Sequence, residues 1–366
     1  MNKQVSAVSG AGNGARPGAG RRAGYGAGLG GEHIGGRPTM KDVASRAGVA
    51  LKTVSRVVNG EPGVTAGTAR RVLGAIEDLG FRRNESARLL RTGRTATLGF
   101  IADSWADPDD AAVYLGLEDV ARPHGYLLYS GSTKSDPARE ERLALAMCAR
   151  PVDGLVITPG SGSHDYLVSE IKAGVATVFV LRPPAIADAG LIADAVLPDE
   201  RGGGRVAVAH LIAQGHRRIG FLGGAASGSI ADDGVGHRSR QLLAGYAEAM
   251  KAAGLASDPA WRRLDAGSLD RAPVTAVLCA DRTRTKAALR VLAGSGRMAV
   301  VGFGDFELAD LVSPGLTVVS YDPVLIGRTA GELLVRRLAG ERVPPRMVEV
   351  PVRLIARGSA EFPPGR

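Results

Sequence analysis

The sequence predicts a small all-α domain followed by a larger α/β body built from parallel sheets. Three observations predict this. Apolar residues recur at helical spacing between residues 38 and 79. From Thr97 onward, short β-prone runs alternate with helical segments, which implies parallel sheets with helices on both faces. Charge is divided between the two parts. Residues 1–95 hold 16 Lys+Arg against 6 Asp+Glu, a balance of +10, whereas residues 96–366 hold 30 against 31. A basic N-terminal part on a near-neutral body is the footprint of a polyanion-binding module joined to something else.

Residues 1–37 contain 12 Gly and scattered Arg, with no apolar periodicity. Such a segment cannot bury enough surface to offset its chain entropy, so a disordered tail is expected. It lacks the apolar core of a secretory signal peptide. No run elsewhere is long enough to span a bilayer. Two cysteines, Cys148 and Cys279, make no disulfide framework in 366 residues. These features fit a cytoplasmic protein of two or three folding units.

The first helix is expected from Met40, with Val43, Ala44 and Ala47 on one apolar face. Thr39 is its N-cap and Asp42 completes a capping box. Gly48 permits a sharp turn. A second helix runs from about Leu51 to Val58, with Val54, Val57 and Val58 inward, and Asn59-Gly60 closes it. Its outward residues are Lys52, Thr53, Ser55 and Arg56, short polar and basic groups suited to base edges and phosphates in a DNA major groove. Spacing alone equally fits a helical hairpin with a solvated basic face. A third helix spans Ala66–Leu79, capped by Thr65 and ended by Gly80, with Ala69, Val72, Leu73, Ile76 and Leu79 as its buried stripe. Gly67 near its start is unfavourable for a helix.

In the body, strands are expected at 97–102, 126–129, 154–158, 176–181, 218–222, 276–280 and 298–302. Helices are expected at 111–122, 138–150, 166–173, 203–214, 239–253, 283–292 and 324–338. Enzyme signatures fail. The loop from Gly223 to Gly228 follows a strand but lacks G-x-G-x-x-G spacing. Ser161, Ser163 and His164 lie in a Gly-rich loop with no G-x-S-x-G elbow. The six histidines show no metal-ligand spacing. No metal or cofactor is expected.

The blocks TMKDVASRAGVALKTVSRVVNG (39–60) and VTAGTARRVLGAIEDLGFRRNESARLLRTGRT (64–95) resemble the lactose-repressor (LacI/GalR) family of bacterial transcription regulators. HLIAQGHRRIGFLGG (210–224), AVVGFGD (299–305) and RGS (357–359) follow in the family's order. The resemblance covers nearly everything from Pro38 to Ser359. It implies a helix-turn-helix domain (38–83), a hinge helix and linker (84–95), and a two-lobed, periplasmic-binding-protein-like effector and dimerisation domain (96–358), with a tail at 359–366. Lobe 1 would comprise about 96–196 and 322–345, lobe 2 about 197–321 and 346–358, and the chain would cross between them near 197, 321 and 346. The implied function is a repressor, not an enzyme. It would bind palindromic operator DNA as a homodimer and be controlled by a sugar or related metabolite held between the lobes.

By the same resemblance, Lys52, Thr53, Ser55, Arg56, Asn59 and Thr65 face the DNA. Ala87, Arg88 and Leu90 match a minor-groove pattern in which Leu90 wedges into a base step; Leu89-Leu90 as a packed pair in a linker is the alternative. For the effector, Asp281 matches a family Asp that contacts ligand, with a helix N-cap as its alternative. Asp199, Asp107 and Arg240 join it. Trp105 is either a replacement aromatic platform or a core residue. The chain also departs from the family. Asp109 and Asp110 stand where relatives carry an aromatic pair after Pro108. Leu242 stands where relatives carry Arg, with Arg238 and Arg240 farther back. Ala50 replaces a usual Ser, and segments 264–274 and 294–298 are short. A second reading keeps the N-terminal helices for assembly only, on a sugar-binding or sugar-converting protein. It needs a secretion signal or an acid/base constellation, and neither is found in the sequence.

Overall fold

A computed structural model describes residues 38–82, 94–149, 152–187, 192–223, 234–293 and 298–364. The chain divides into two units, residues 1–84 and 85–366, each described by itself. The expected tail 1–37, and the hinge segment with Ala87, Arg88 and Leu90, lie outside the described residues.

The first unit holds α1 (Met40–Ala47), α2 (Leu51–Asn59) and α3 (Ala66–Leu79). Thr39 and Asp42 close the expected capping box: the Thr39 N–H donates to Asp42 Oδ2 at 2.8 Å, and the Asp42 N–H to Thr39 Oγ1 at 3.4 Å. Gly48, with φ 63°, supplies the left-handed residue that ends α1 and starts the turn. Ala50 begins α2 without a side-chain cap, as its identity dictates. Val43, Ala44, Ala47, Val54, Val72, Ala75 and Phe81 form the core. One expected core residue is displaced. Leu73 is 55% exposed and Ala75 is buried in its place. The three helices converge where side chains are small, so the stripe of α3 follows the close contact and not the largest apolar residues.

The second unit has two sheets. The first has the order β10-β5-β4-β3-β1-β2 and is parallel throughout. Its strands are β1 (Thr97–Ala102), β2 (Leu127–Ser132), β3 (Gly154–Ile157), β4 (Ala176–Val180), β5 (Asp194–Pro198) and β10 (Met347–Val350). The second has the order β11-β9-β8-β7-β6, from β6 (Ile219–Leu222), β7 (Ala276–Cys279), β8 (Ala299–Phe303), β9 (Thr317–Ser320) and an antiparallel edge strand β11 (Arg353–Ile355). The strands β5, β9, β10 and β11 were not expected from sequence. Because β10 pairs with β5, the last passage between the sheets falls between Val350 and Arg353 and not near 346. The helices are α4 (Pro108–Ala121), α5 (Pro137–Ala149), α6 (Val168–Lys172), α7 (Glu200–Ala213), α8 (Gly234–Ala252), α9 (Arg282–Leu292) and α10 (Pro323–Leu338). Several begin earlier than expected, because Asp107, Asp199 and Asp322 cap them.

Each lobe is clamped by one pair of helices that cross at glycines. In the first lobe α4 meets α10. A Cβ on Gly116 would stand 2.1 Å from the Val324 carbonyl oxygen, and one on Gly327 would stand 2.0 Å from that of Val113. In the second lobe α7 meets α8 in the same way: Gly204 faces the Leu242 carbonyl at 2.2 Å, and Gly245 that of Arg201 at 2.0 Å. The clashing atoms are backbone, so no side chain can turn aside. We expect Gly327→Ala to destabilise the second unit by about 1–3 kcal/mol in urea unfolding, the usual cost of overpacking. An unchanged midpoint would contradict the close crossing.

Asp110, in the first turn of α4, is 1% exposed. Its Oδ2 accepts the Ser104 N–H at 2.8 Å, while Oδ1 has no aligned hydrogen-bond partner among the described residues, with the Thr158 hydroxyl close to the carboxyl. Burial pushes its carboxyl up to about 6, against the pull of the Ser104 N–H. A folded-state value above the unfolded one means stability that is complete below the unfolded value and lost as pH rises through about 6. Asp110→Asn should therefore stabilise the protein at pH 7 by on the order of 2 kcal/mol and leave it little changed at pH 4. Equal effects at both values, read from urea unfolding, would contradict a buried, proton-linked carboxyl.

Candidate functional site

Two surfaces carry chemistry, one in each unit. In the first, α2 follows the turn at Gly48 and buries Val54, which turns its opposite side outward. Lys52 is exposed, and Thr53, Ser55, Arg56 and Asn59 are half-buried. Asn59 Nδ2 donates to Ser55 Oγ at 3.2 Å and to Glu61 Oε1 at 3.1 Å, which fixes the C-terminal end of this face. Thr65 caps α3, its Oγ1 accepting the Thr68 N–H at 3.3 Å. Short polar groups next to Lys52 and Arg56 on one helix can donate to phosphates and to purine edges.

In the second unit, the carboxyl ends of β1, β3 and β4 face those of β7 and β8 across a cleft. Strand order in the first sheet reverses at β1, between β2 and β3, and ligands bind outside strand ends at such a point. Two cavities occupy the cleft. The inner one, about 360 Å³, is lined by Asp103, Asp107, Asp109, Arg238, Asp281 and Phe303, among others. The outer one, about 750 Å³, lies between loops 160–165 and 183–187 on one side and His237 and Arg240 on the other.

Ion pairs organise the inner cavity. Asp103 Oδ2 accepts Arg182 Nη2 at 3.0 Å, and its Oδ1 accepts the Ser135 and Thr133 hydroxyls at 3.1 Å each. Leu181 holds φ 64° just before Arg182, a left-handed conformation that non-glycine residues take at a cost. Arg282, from the first turn of α9, reaches to the other lobe: Nη1 stands 3.1 Å from Asp107 Oδ1 and Nη2 pairs with Asp109. The Tyr321 hydroxyl donates to the second oxygen of Asp109. Burial, and then the Asp109 carboxylate, push the Tyr321 phenol above its ordinary range, so it stays a donor. Asp281 caps α9, its Oδ1 accepting the Arg284 N–H at 2.8 Å, and also pairs with the Arg284 guanidinium. Arg238 lies over the Phe303 ring, 5.8 Å from its centroid, and donates through Nε to Glu200 at 2.9 Å. Burial pushes the Glu200 carboxyl up, against the pull of Arg238.

The expected effector residues are not all brought together. Asp281 and Asp107 line the inner cavity. Arg240 lines the outer one. Asp199 is the N-cap of α7, its Oδ1 accepting the Gly202 N–H at 2.7 Å. Trp105 is 44% exposed and packs edge-on against Tyr114, centroids 5.7 Å apart, beside a further cavity. Sequence reasoning passed over Arg182, Glu200, Arg282 and Tyr321. One sign of Arg282 was present: it directly follows Asp281, and its partner Asp109 stands where one of an aromatic pair was expected. The Gly-rich loop with His164 is held rigid, not set up for catalysis. Glu140, 2% exposed, accepts the Gly160 N–H at 2.6 Å and the Tyr166 hydroxyl at 2.7 Å, and lies 2.9 Å from His164 Nε2. His164 Nδ1 accepts the Ala185 N–H at 3.1 Å, while Nε2, close to Glu140, makes no aligned hydrogen bond among the described residues. Among the described residues no cluster of His, Cys, Asp and Glu could hold a metal ion.

Comparison with known proteins follows the same division. Residues 39–84 match the model of the bacterial regulatory proteins of the lacI family, and residues 208–360 match a periplasmic binding protein-like domain. The HTH-type transcriptional regulator CelR of Thermobifida fusca is 34% identical over 349 residues, covering 88% of this chain and 98% of that protein. A solved transcriptional regulator CelR–cellobiose complex is 33% identical, with a TM-score of 0.60 over 88% of this chain and 100% of that one. The lac repressor dimer bound to operator and an anti-inducer shares the fold at 24% identity, with a TM-score of 0.74 over 89% of this chain and 100% of that one. With a relative of this identity matched along nearly its whole length, the chain belongs to the lacI family of bacterial regulatory proteins and is a helix-turn-helix DNA-binding transcription regulator, not an enzyme.

Proposed function

We propose that the protein is a cytoplasmic repressor that binds a palindromic operator as a homodimer and is controlled by a small carbohydrate or related metabolite in the cleft between its lobes. The observation that carries the effector reading is convergence. Strand ends from both lobes meet at one cleft that holds cavities of about 360 and 750 Å³ with charged and hydroxyl groups on their walls. The solved CelR relative is a cellobiose complex, which supports a carbohydrate at the corresponding place. Asp281, Asp107 and Arg240 are the cleft residues assigned to it. Asp199 acts through the helix it caps, and Trp105 as a wall of the neighbouring cavity.

A palindromic site needs two recognition helices related by a two-fold axis. Exposed apolar residues on the second unit support self-association: Leu127 at 67% and Tyr129 at 58% on the edge strand β2, and Leu308 at 60% and Leu311 at 74% beyond β8. No described helix is long and apolar enough to cross a membrane.

On the DNA side, Lys52 and Arg56 contact bases or phosphates, with Thr53, Ser55, Asn59 and Thr65 assisting. Ala87, Arg88 and Leu90 are assigned to the minor groove on sequence resemblance alone. Lys52→Ala together with Arg56→Ala should weaken operator binding by roughly 1–3 kcal/mol per lost contact, read by fluorescence anisotropy at moderate salt. An equal loss on operator and unrelated DNA, with a shallower salt dependence, would assign both residues to phosphates. Unchanged affinity and salt slope would remove α2 from the interface.

A further inference from the structure

The carboxylates around the inner cavity are already engaged. Asp103 is held by Arg182 and two hydroxyls, and Asp107 and Asp109 by Arg282. Asp109 also accepts the Tyr321 hydroxyl, and Asp281 is held by Arg284 through its backbone and its guanidinium. Each of these carboxylates therefore has its charge compensated by a neighbouring guanidinium. The donors are placed differently. Among the described residues, the guanidinium of Arg238 has one hydrogen-bonding protein partner, Glu200, reached through Nε. That leaves the Nη1 and Nη2 edge for the cavity, which Arg238 lines. The guanidinium is fixed by Glu200 on one side and by the Phe303 ring beneath it. A planar fork held rigid in a largely dry place is the arrangement that takes an oxyanion in bidentate fashion. Lys286, on α9, lines the same cavity and adds a second cation.

Resting on the effector reading above, we propose that the effector carries an oxyanion, a carboxylate or a phosphate ester, and that Arg238 is the residue that selects it. The oxyanion is acceptor-only, so it matches the donor edge that Arg238 presents to the cavity. Leu242 is consistent with this. It is fully buried between the lobe's own helices and contributes no charge, so the selecting guanidinium comes from farther toward the start of α8.

The test uses the full chain. Its two tryptophans, Trp105 and Trp261, both lie in the second unit, so intrinsic fluorescence reports melting of that unit alone. Sodium phosphate, sodium acetate and cellobiose are titrated in turn, with sodium chloride at matched ionic strength as reference. We expect phosphate or acetate to raise the melting temperature above chloride. A larger rise with phosphate assigns a phosphate ester, and with acetate a carboxylate. Arg238→Lys keeps a charge beside Glu200 but removes the fork. Arg238→Met with Glu200→Gln removes both charges together, so that neither is left buried alone. Both variants should bind the active anion about 10- to 100-fold more weakly, the range of a charge-assisted pair. Stabilisation by cellobiose and by neither anion would overturn the oxyanion and leave the cleft reading intact. Anions that stabilise both Arg238 variants as strongly as the unaltered chain would overturn the assignment to Arg238 and to this cavity.

Discussion

The effector unit depends on the charge bridge between its lobes. Arg282, at the start of α9, pairs with Asp107 and Asp109 at the start of α4, and Tyr321 closes the group where the chain returns from β9 to α10. The bridge therefore sits beside a crossing segment, where it ties the two lobes together close to their connection. Half-buried ion pairs of this kind contribute little net stability but are costly to break one-sidedly. They suit a joint with two arrangements better than they suit a core. The helix pairs α4–α10 and α7–α8 supply the contrasting property. Each crosses at glycines that bring backbone to backbone, so each lobe is packed tightly within itself.

Tightly packed lobes and a charged joint together give the cleft its character. Its carboxylates hold the lobes and the helix starts in place, and its available edge is the guanidinium of Arg238. A ligand that engages Arg238 from one lobe and wall groups from the other, as proposed, would favour the arrangement that brings both within reach. Such differential interaction is the requirement for an effector to shift an equilibrium.

Much of this was legible in the sequence. The three N-terminal helices carry their own caps and stops, Thr39 with Asp42, Gly48, Thr65 and Gly80, and local chemistry set their ends to within a residue or two. Of the missed strands, β10 and β11 lie at sheet edges and pair with distant sequence, while β5 and β9 are short interior runs of five and four residues. Periodicity cannot report that. Leu73 was misplaced for a similar reason: the packing partner of α3, not its own hydrophobicity, decides which face is buried. At the site, Asp281 showed both of its possible roles in sequence, and the fold gives it the cap while leaving it on the cavity wall. Arg182 was not found because it is defined by a carboxylate far away in sequence, Asp103, and Arg282 left only one sign, an aspartate at 109 in place of an aromatic residue. Charge pairing across a fold leaves little local pattern.

A recognition helix duplicated by a two-fold axis, reading DNA for an effector-binding body, is tested most directly by sequencing the DNA that the purified full chain selects from a random pool. One enriched motif is expected, two inverted half-sites of equal sequence at a fixed spacing. Selection of a single, non-repeated motif, or no enrichment over the starting pool, would contradict it.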